Sequence, residues 1–255
     1  MLSPYDACPQ IHKICEALPA YHGPSEVPYD NGLCLFYEKG EVTAHAPNGR
    51  IVRVENHKLS ESLKSRIALD YSGDKNSSEF RKFIGAAILL RDIPDYELSA
   101  GDFISLKNTS SAADEVFRVR RLRGECLDTT FGSQGHWATN EPTCEKCRPI
   151  EDKISKLFSD GHFWFRCIKI EDKNLRGTFE RKLVATLSIC SVHKDDHISK
   201  SWLGRFAMKY NSTIACWGLW NVEWVAEKGF LSRNLLNEKD VEILENLVAS
   251  TLKHV

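Results

Sequence analysis

The sequence predicts an α/β or α+β fold in which a small mixed or antiparallel sheet is flanked by helices. Two observations lead to this class. Short segments of strand type occur among longer segments whose apolar residues have helical spacing. The 255 residues are 42% hydrophobic and 27% charged, close to the average of globular proteins, which excludes disordered and fibrous classes. A chain of this length can bury a complete core without disulfides or a structural metal.

The first part of the chain contains two strands followed by two helices. Strands are predicted over Gly32–Glu38 and over residues 50–55, with a turn between them. A helix is predicted over residues 60–70, with Ser60 as its N-cap, because its apolar residues share one face. A second helix is predicted over residues 79–90 for the same reason.

The second part of the chain is introduced by an irregular insertion at about residues 91–149. The pattern then predicts a helix over 150–158, an aromatic-rich strand over 162–170, a helix over 175–189, an irregular tryptophan-rich segment over 199–225 and a final helix over 238–255. This order divides the chain into a lead-in (residues 1–31), a main domain (residues 32–225) and a C-terminal helix (residues 226–255). The apolar stripe of the final helix suits either the core or a homodimer contact.

The charge balance and the cysteine count limit the class of protein. Lys and Arg (34) nearly balance Asp and Glu (35), so a nucleic-acid partner requires a local basic patch rather than bulk charge. Nine cysteines, an odd number, do not suit a secreted disulfide framework. The first residues lack the pattern of a signal peptide, and no apolar run approaches the roughly 18 residues of a membrane span. We therefore expect a cytoplasmic protein without a membrane partner.

Several stretches form a recognisable pattern through their order and spacing, namely Gly32–Glu38, residues 50–54 followed by Asn56 and His57, residues 63–66, residues 78–85, residues 176–183, residues 202–204 and residues 218–222. Taken together, they resemble the GIY-YIG nuclease superfamily and within it a restriction-endonuclease-like branch. None of them is specific alone. The resemblance covers about residues 32–225 and implies a GIY-YIG-like core.

The resemblance implies a metal-dependent DNA endonuclease that hydrolyses phosphodiester bonds, in restriction or defence. By resemblance, Glu180 holds Mg²⁺ or another divalent cation, Arg66 contacts the phosphate, and His57 or Tyr71 activates the attacking water. The chemistry is reasonable, because a cation and an arginine can both oppose the negative charge that grows on a phosphodiester. One carboxylate with waters is an adequate Mg²⁺ site. The implied partner is double-stranded DNA.

The chain departs from the family pattern at its signature positions. Cys34 stands at the first tyrosine, Arg53 lies near the second, and Glu55 replaces the glycine of the second motif. The His or Tyr that follows the arginine aligns with Asp70 or Tyr71. Two alternatives therefore stay open: an active nuclease, and a catalytically silent module on the same fold that binds nucleic acid or protein.

Basic residues near the proposed site are candidates for contacts with the DNA backbone. They are Arg53, Lys58, Lys64, Arg81, Lys82, Arg181 and Lys182. The alternative is scattered, solvated charge. For the tryptophan-rich segment, packing is favoured over base stacking.

Three cysteines and a histidine could close a tetrahedral zinc site. They are Cys126, His136, Cys144 and Cys147, of which the last two form a CxxC pair. The alternative is a set of reduced thiols in the insertion, and both interpretations stay open.

Overall fold

The computed structural model describes residues 3–58, 60–92, 147–192, 198–209, 211–225 and 235–255. These ranges contain three strands, β1 (Gly32–Glu38), β2 (Ile51–Glu55) and β3 (Phe163–Lys169). They also contain seven α-helices: α1 (Pro4–Glu16), α2 (Leu63–Ser72), α3 (Glu79–Asp92), α4 (Arg148–Ser159), α5 (Lys173–Val192), α6 (Ser212–Trp217) and α7 (Glu238–Leu252). Short 3-10 helices cover Pro24–Glu26 and Leu203–Lys209. Most of the predicted insertion, including Cys126, His136 and Cys144, lies outside the described residues.

The three strands form one antiparallel sheet in the order β2-β1-β3. Cys34 on the central strand faces Glu55 on one side and Cys167 on the other. At Gly32 the strands approach so closely that a Cβ would lie 2.2 Å from the carbonyl oxygen of Ile168, which explains the glycine. The α+β class and its antiparallel sheet confirm the fold predicted from the sequence.

Helices cover both faces of the sheet, because alternate residues of β1 are buried in two different apolar clusters. Cys34 and Phe36 belong to a cluster shared with α2, α3 and α4. Leu33, Leu35 and Tyr37 belong to a second cluster shared with α1, α5 and α7. Tyr37 therefore points away from Cys34, as the period of a strand requires, and it stacks on Trp164 at 4.1 Å.

Three local details differ from the sequence prediction or decide between its alternatives. Helix α2 begins later than predicted, because Ser62 rather than Ser60 accepts the capping hydrogen bond from the backbone N–H of Ser65. The segment predicted as irregular contains the 3-10 helix Leu203–Lys209 and α6. The apolar stripe of α7 serves the core, where Leu244 and Val248 are buried. A homodimer stays a prediction.

The free edge of β2 is covered by the chain that follows α6. The backbone N–H of Trp220 donates to the carbonyl of Val52 over 2.7 Å. The side-chain amide of Asn221 then pairs with both backbone groups of Val54, at 2.8 and 3.0 Å, as a neighbouring strand would. This pairing fixes residues 220–225 beside the end of β2, where the cleft described below opens. Among the described residues, no helix has the length and apolar character to cross a membrane.

Candidate functional site

A polar cleft of about 480 Å³ opens at the end of β2. Its walls come from β2 and the loop after it, from α2, from the start of α3, from α5 and from residues 221–224. Arg66 on α2 and Glu180 on α5 both line it, although more than a hundred residues of sequence separate them. The fold therefore brings together the two residues to which the sequence assigned the central roles.

The inner end of the cleft is a carboxylate held between two arginines. Glu55 accepts hydrogen bonds from Nε and Nη2 of Arg53, both at 3.1 Å, and from Nε of Arg66 at 2.7 Å. Burial opposes ionisation of Glu55, but the two guanidiniums outweigh it and lower its pKa to about 2. Arg53 also donates to the carbonyl of Trp220 and lies over the ring of Phe80, so it is fixed on several sides.

Asp70 lies beside this network, and its pKa is higher than that of an ordinary aspartate. It is fully buried, and its Oδ1 accepts a hydrogen bond of 2.6 Å from the hydroxyl of Ser78 and lies 3.5 Å from Nη2 of Arg66. Burial, followed by the negative charge of Glu55, raises the pKa of Asp70 well above its usual range. Its other oxygen, Oδ2, is buried without a hydrogen-bond partner among the described residues.

Glu180 enters the cleft from the opposite wall. Its Oε2 accepts a hydrogen bond of 3.2 Å from the amide of Asn56, whose own Oδ1 accepts the backbone N–H of His57. Burial raises the pKa of Glu180, and the nearby charges of Glu55 and Glu223 raise it further, while the Asn56 hydrogen bond opposes the shift. A cation at Glu180 would relieve the cost of holding this charge.

The two residues predicted to activate water do not reach the cleft. Nδ1 of His57 lies 3.0 and 2.8 Å from the carbonyl oxygens of Lys58 and Glu61, so we assign it the proton, and the side chain is buried. Tyr71 packs against Phe158 and Phe165, and its hydroxyl is buried without a hydrogen-bond partner among the described residues. His57 supports the loop after β2, and Tyr71 belongs to the core.

The residues predicted to contact DNA separate into two groups. Arg53, Lys58 and Lys82 line the cleft. The other four have different surroundings: Lys64 pairs with Asp30 at 3.6 Å, Lys182 pairs with Asp240 at 2.6 Å, Arg181 lies 5.4 Å from the ring centroid of Trp224, and Arg81 is 1% exposed.

Arg81 is the clearest departure, since its guanidinium binds the carboxylate of Glu151 at 2.7 Å and the carbonyl of Asp70. This buried arginine joins α3 to α4 and has no surface to offer a phosphate, so the DNA contact expected of it is withdrawn.

The comparison with protein families decides the identity of the fold. The family described as the GIY-YIG domain matches residues 10–253, nearly the whole chain. The chain belongs to the GIY-YIG domain family. Comparisons with curated proteins and with solved structures gave no match. Members of the GIY-YIG family are nucleases that act on DNA and are generally metal-dependent.

The donor atoms of the cleft suit a hard divalent cation. Glu180 supplies a carboxylate whose Oε2 is oriented by Asn56, and oxygen ligands are those that Mg²⁺ prefers. Glu55 is already held by two guanidiniums, so Glu180 is the carboxylate best placed to accept a metal ion.

A second group of metal-ligand residues lies elsewhere in the GIY-YIG fold. Sγ of Cys8 lies 3.6 Å from Nδ1 of His12 and 3.5 Å from Nε2 of His45. The backbone N–H of Ile51 donates to Nε2 of His12, which places the ring proton on Nδ1, where it donates to the carbonyl of Cys8. A metal at Nδ1 would shift the ring proton to Nε2, and Nε2 could then no longer accept the N–H of Ile51. The hydrogen bonds of this group connect α1 to β2.

Cys147 is the one described member of the zinc group predicted from the sequence, and its side chain is buried at the start of α4. Its three predicted partners lie outside the described residues, so zinc stays a prediction.

The sequence interpretation gave no role to several residues that shape the cleft. Asn56 orients Glu180, Lys75 and Glu223 line the walls, and Trp224 stands at the cleft with 42% of its surface exposed. The sequence did contain a sign of the ion pairs of Glu55, because a carboxylate at the glycine position of the family pattern requires a charged partner when it is buried. The others depend on loop conformations that spacing does not encode.

Proposed function

We propose that this protein is a metal-dependent DNA endonuclease that hydrolyses phosphodiester bonds, with one divalent cation, Mg²⁺ or a similar ion, held at Glu180. The observation that supports the proposal most strongly is that Arg66 and Glu180 line one cleft in a chain of the GIY-YIG family. Restriction or another defence role, in the cytoplasm, is the biological setting that we propose from the restriction-enzyme-like resemblance.

The roles of the two residues follow from their charges. Glu180 would hold the cation, which would supply a counter-charge to the phosphate oxygens and lower the pKa of a bound water. Arg66 presents a guanidinium fixed by Glu55, so little conformational freedom is lost when a phosphate binds beside it. Arg66 lies at the edge of the network, with 15% of its side chain exposed, whereas Arg53 lies deeper. We therefore assign the phosphate contact to Arg66.

In this proposal DNA binds through individual cations of the cleft rather than through a net positive charge. The cleft wall carries five basic residues, Arg53, Lys58, Arg66, Lys75 and Lys82, and five acidic residues, Glu55, Glu61, Glu79, Glu180 and Glu223. Of these, Lys58 is exposed beside the loop that holds Asn56, so its ammonium group is available to a DNA backbone that approaches Glu180.

A plasmid-cleavage assay with Mg²⁺ or Mn²⁺ tests the proposal. We expect wild-type protein to nick or linearise plasmid, a chelator to stop it, and Glu180→Ala and Arg66→Ala each to slow it by about 100-fold or more. Lys64→Ala on the same helix as Arg66 and Glu242→Ala on the exposed face of α7 are controls that should cleave like the wild type. Cleavage that survives both cleft substitutions would overturn the proposal.

A catalytically silent binding module is the second candidate, and one observation favours it. The family tyrosines are replaced by Cys34, which is fully buried with a raised pKa owing to burial, and by Arg53, which is paired with Glu55. Neither can act as a tyrosine does. Wild-type protein that binds DNA in a Lys58-dependent way but cuts none of a broad set of substrates, with either metal, would establish this candidate.

A further inference from the structure

Trp224 is the feature of the cleft that neither packing nor the hydrolytic chemistry explains. Trp202, Trp217 and Trp220 are buried, as the sequence pattern favoured, whereas Trp224 keeps 42% of its surface exposed. It lines the same cleft as Glu180 and Arg66. An exposed indole offers an apolar face to a ligand in an otherwise polar cleft.

The backbone conformation at Trp224 indicates that the surrounding structure determines the position of its ring. Its φ is 62°, and within the described part of the chain no other residue except glycine has a positive φ. Bulky residues avoid this region, and such strain persists only where the surroundings determine it. Here Asn221 is paired with Val54 on one side and Val225 is buried on the other. The ring is therefore held at the cleft by anchors before and after it.

A cation supports the ring. The guanidinium of Arg181 lies 5.4 Å from the ring centroid of Trp224, and Arg181 follows Glu180 directly on α5. A guanidinium over an aromatic ring stabilises its position by a cation–π interaction. The same helical turn therefore carries the proposed metal ligand and the support of the aromatic ring, so a ligand that stacks on the ring lies close to the cation.

From these observations we propose that Trp224 is a stacking platform for one nucleobase that has left the helical stack beside the phosphate in the cleft. The proposal rests on the proposed function and deepens it by naming the substrate class. Inside a continuous duplex both faces of a base are covered by its neighbours, so an indole can stack only on a base that is single-stranded, bulged or extruded. The preferred substrate is accordingly DNA with an unpaired base near the scissile phosphate.

The test measures binding of three 20-nucleotide DNAs without divalent cation: a duplex, the same duplex with a one-nucleotide bulge, and the single strand. We expect wild-type protein to bind the bulged and single-stranded forms more tightly than the duplex. Trp224→Gly should weaken binding to those two forms by about 5- to 150-fold, the range seen for loss of one stacked base. Trp224→Phe should retain most of the affinity.

Two readouts separate stacking from a structural role. Glycine adopts a positive φ without strain, so Trp224→Gly should leave the thermal midpoint unchanged or raise it while base binding is lost. The slope of log affinity against log salt should stay that of the wild type, since no charge is removed. Phe206→Ala, at an aromatic residue that is 37% exposed and does not line the cleft, is the matched control and should bind like the wild type.

The outcomes distinguish the platform from the function on which it rests. If wild-type protein cuts DNA in a Glu180-dependent way and Trp224→Gly binds all three DNAs as the wild type does, the platform is overturned and the nuclease stands. If Trp224→Gly unfolds at a lower temperature and binds all forms equally weakly, Trp224 is a structural residue. If wild-type protein neither binds nor cuts DNA, both proposals fail.

Discussion

Nε of Arg66 donates to Oε1 of Glu55 over 2.7 Å, and Glu55 stands where the family pattern has a glycine. The carboxylate thus holds both the arginine that we assign to the phosphate and Arg53, which lies near the position of a signature tyrosine. In this chain Glu55 forms ion pairs with Arg53 and Arg66, and Asp70 lies beside them, 3.5 Å from Arg66. The network makes the stability of the cleft depend on charge and therefore on pH.

Glu55→Gln should destabilise the fold by about 3 kcal/mol at neutral pH, because two buried guanidiniums lose their counter-charge. A pKa of about 2, against an ordinary value of 4.5, corresponds to about this free energy. Because the pKa is lowered in the folded state, this stabilisation is present above about pH 4.5 and is lost as the pH falls towards 2. Urea unfolding of both proteins from pH 7 to pH 3 measures it.

Glu61→Gln is the control for this experiment, since Glu61 lines the same cleft without an ion pair among those observed. It should change the free energy of unfolding by less than about 0.5 kcal/mol. A difference between wild type and Glu55→Gln that is small at pH 7, or that does not shrink in acid, would contradict the ion-pair interpretation.

Asp70→Asn should remove a pH dependence of stability whose sign is opposite to that of the Glu55 contribution. Burial and the charge of Glu55 raise the pKa of Asp70, so its favourable contribution is complete below the ordinary aspartate range and is lost as the pH rises towards the raised value. Asparagine keeps a hydrogen-bond donor and acceptor but cannot ionise. Relative to wild type, the variant should therefore gain stability between pH 4 and pH 8, measured by thermal unfolding. A constant difference across that range would show that Asp70 titrates normally.

The salt dependence of DNA binding should separate the cleft lysines from the others. Lys58→Ala and Lys82→Ala should each lower the slope of log affinity against log salt by about 1, because each removes a phosphate contact. Lys64→Ala and Lys182→Ala should leave the slope unchanged, since these residues pair with Asp30 and Asp240 outside the cleft. Equal effects of all four would indicate diffuse charge rather than a defined binding face.

Tyr71→Phe should leave DNA cleavage unchanged. The Tyr71 hydroxyl is buried among aromatic rings without a partner in the described chain, and burial raises its pKa. Removing an unsatisfied hydroxyl should keep or raise the free energy of unfolding by about 1 kcal/mol. The two measurements are single-turnover cleavage and urea unfolding. A loss of cleavage of 100-fold or more, with stability retained, would restore Tyr71 as a catalytic residue.

The sequence predicted most elements of the fold because their signals are local. The strand-type segment Gly32–Glu38 and the helical spacing around Phe179 and Leu183 survive in the structure, where the whole strand and both helix residues are buried. The N-cap of α2 was misplaced by two residues because Ser60 and Ser62 both suit the position, and only the backbone geometry selects Ser62.

The site was predicted only in part because its remaining features depend on distant partners. Arg81 has the appearance of a surface cation until α4 supplies Glu151, 70 residues later. His57 suits a water-activating role in sequence, but the conformation of the loop after β2 turns its ring towards two carbonyl groups. Spacing can place Arg66 and Glu180 on their helices, while the direction of a loop side chain requires the structure.

The most direct test of the proposed chemistry is the single-turnover rate of DNA cleavage by Glu180→Gln, measured over a range of Mg²⁺ concentrations. Glutamine keeps the shape of the side chain and removes the charge that would hold the cation. We expect wild-type cleavage to rise to saturation with Mg²⁺, and the variant to be slower by about 100-fold or more at every concentration. Glu223→Gln, at an exposed carboxylate of the same cleft, should cleave within a few-fold of the wild type. Equal rates for wild type and Glu180→Gln, or cleavage that needs no divalent cation, would contradict a metal site at Glu180.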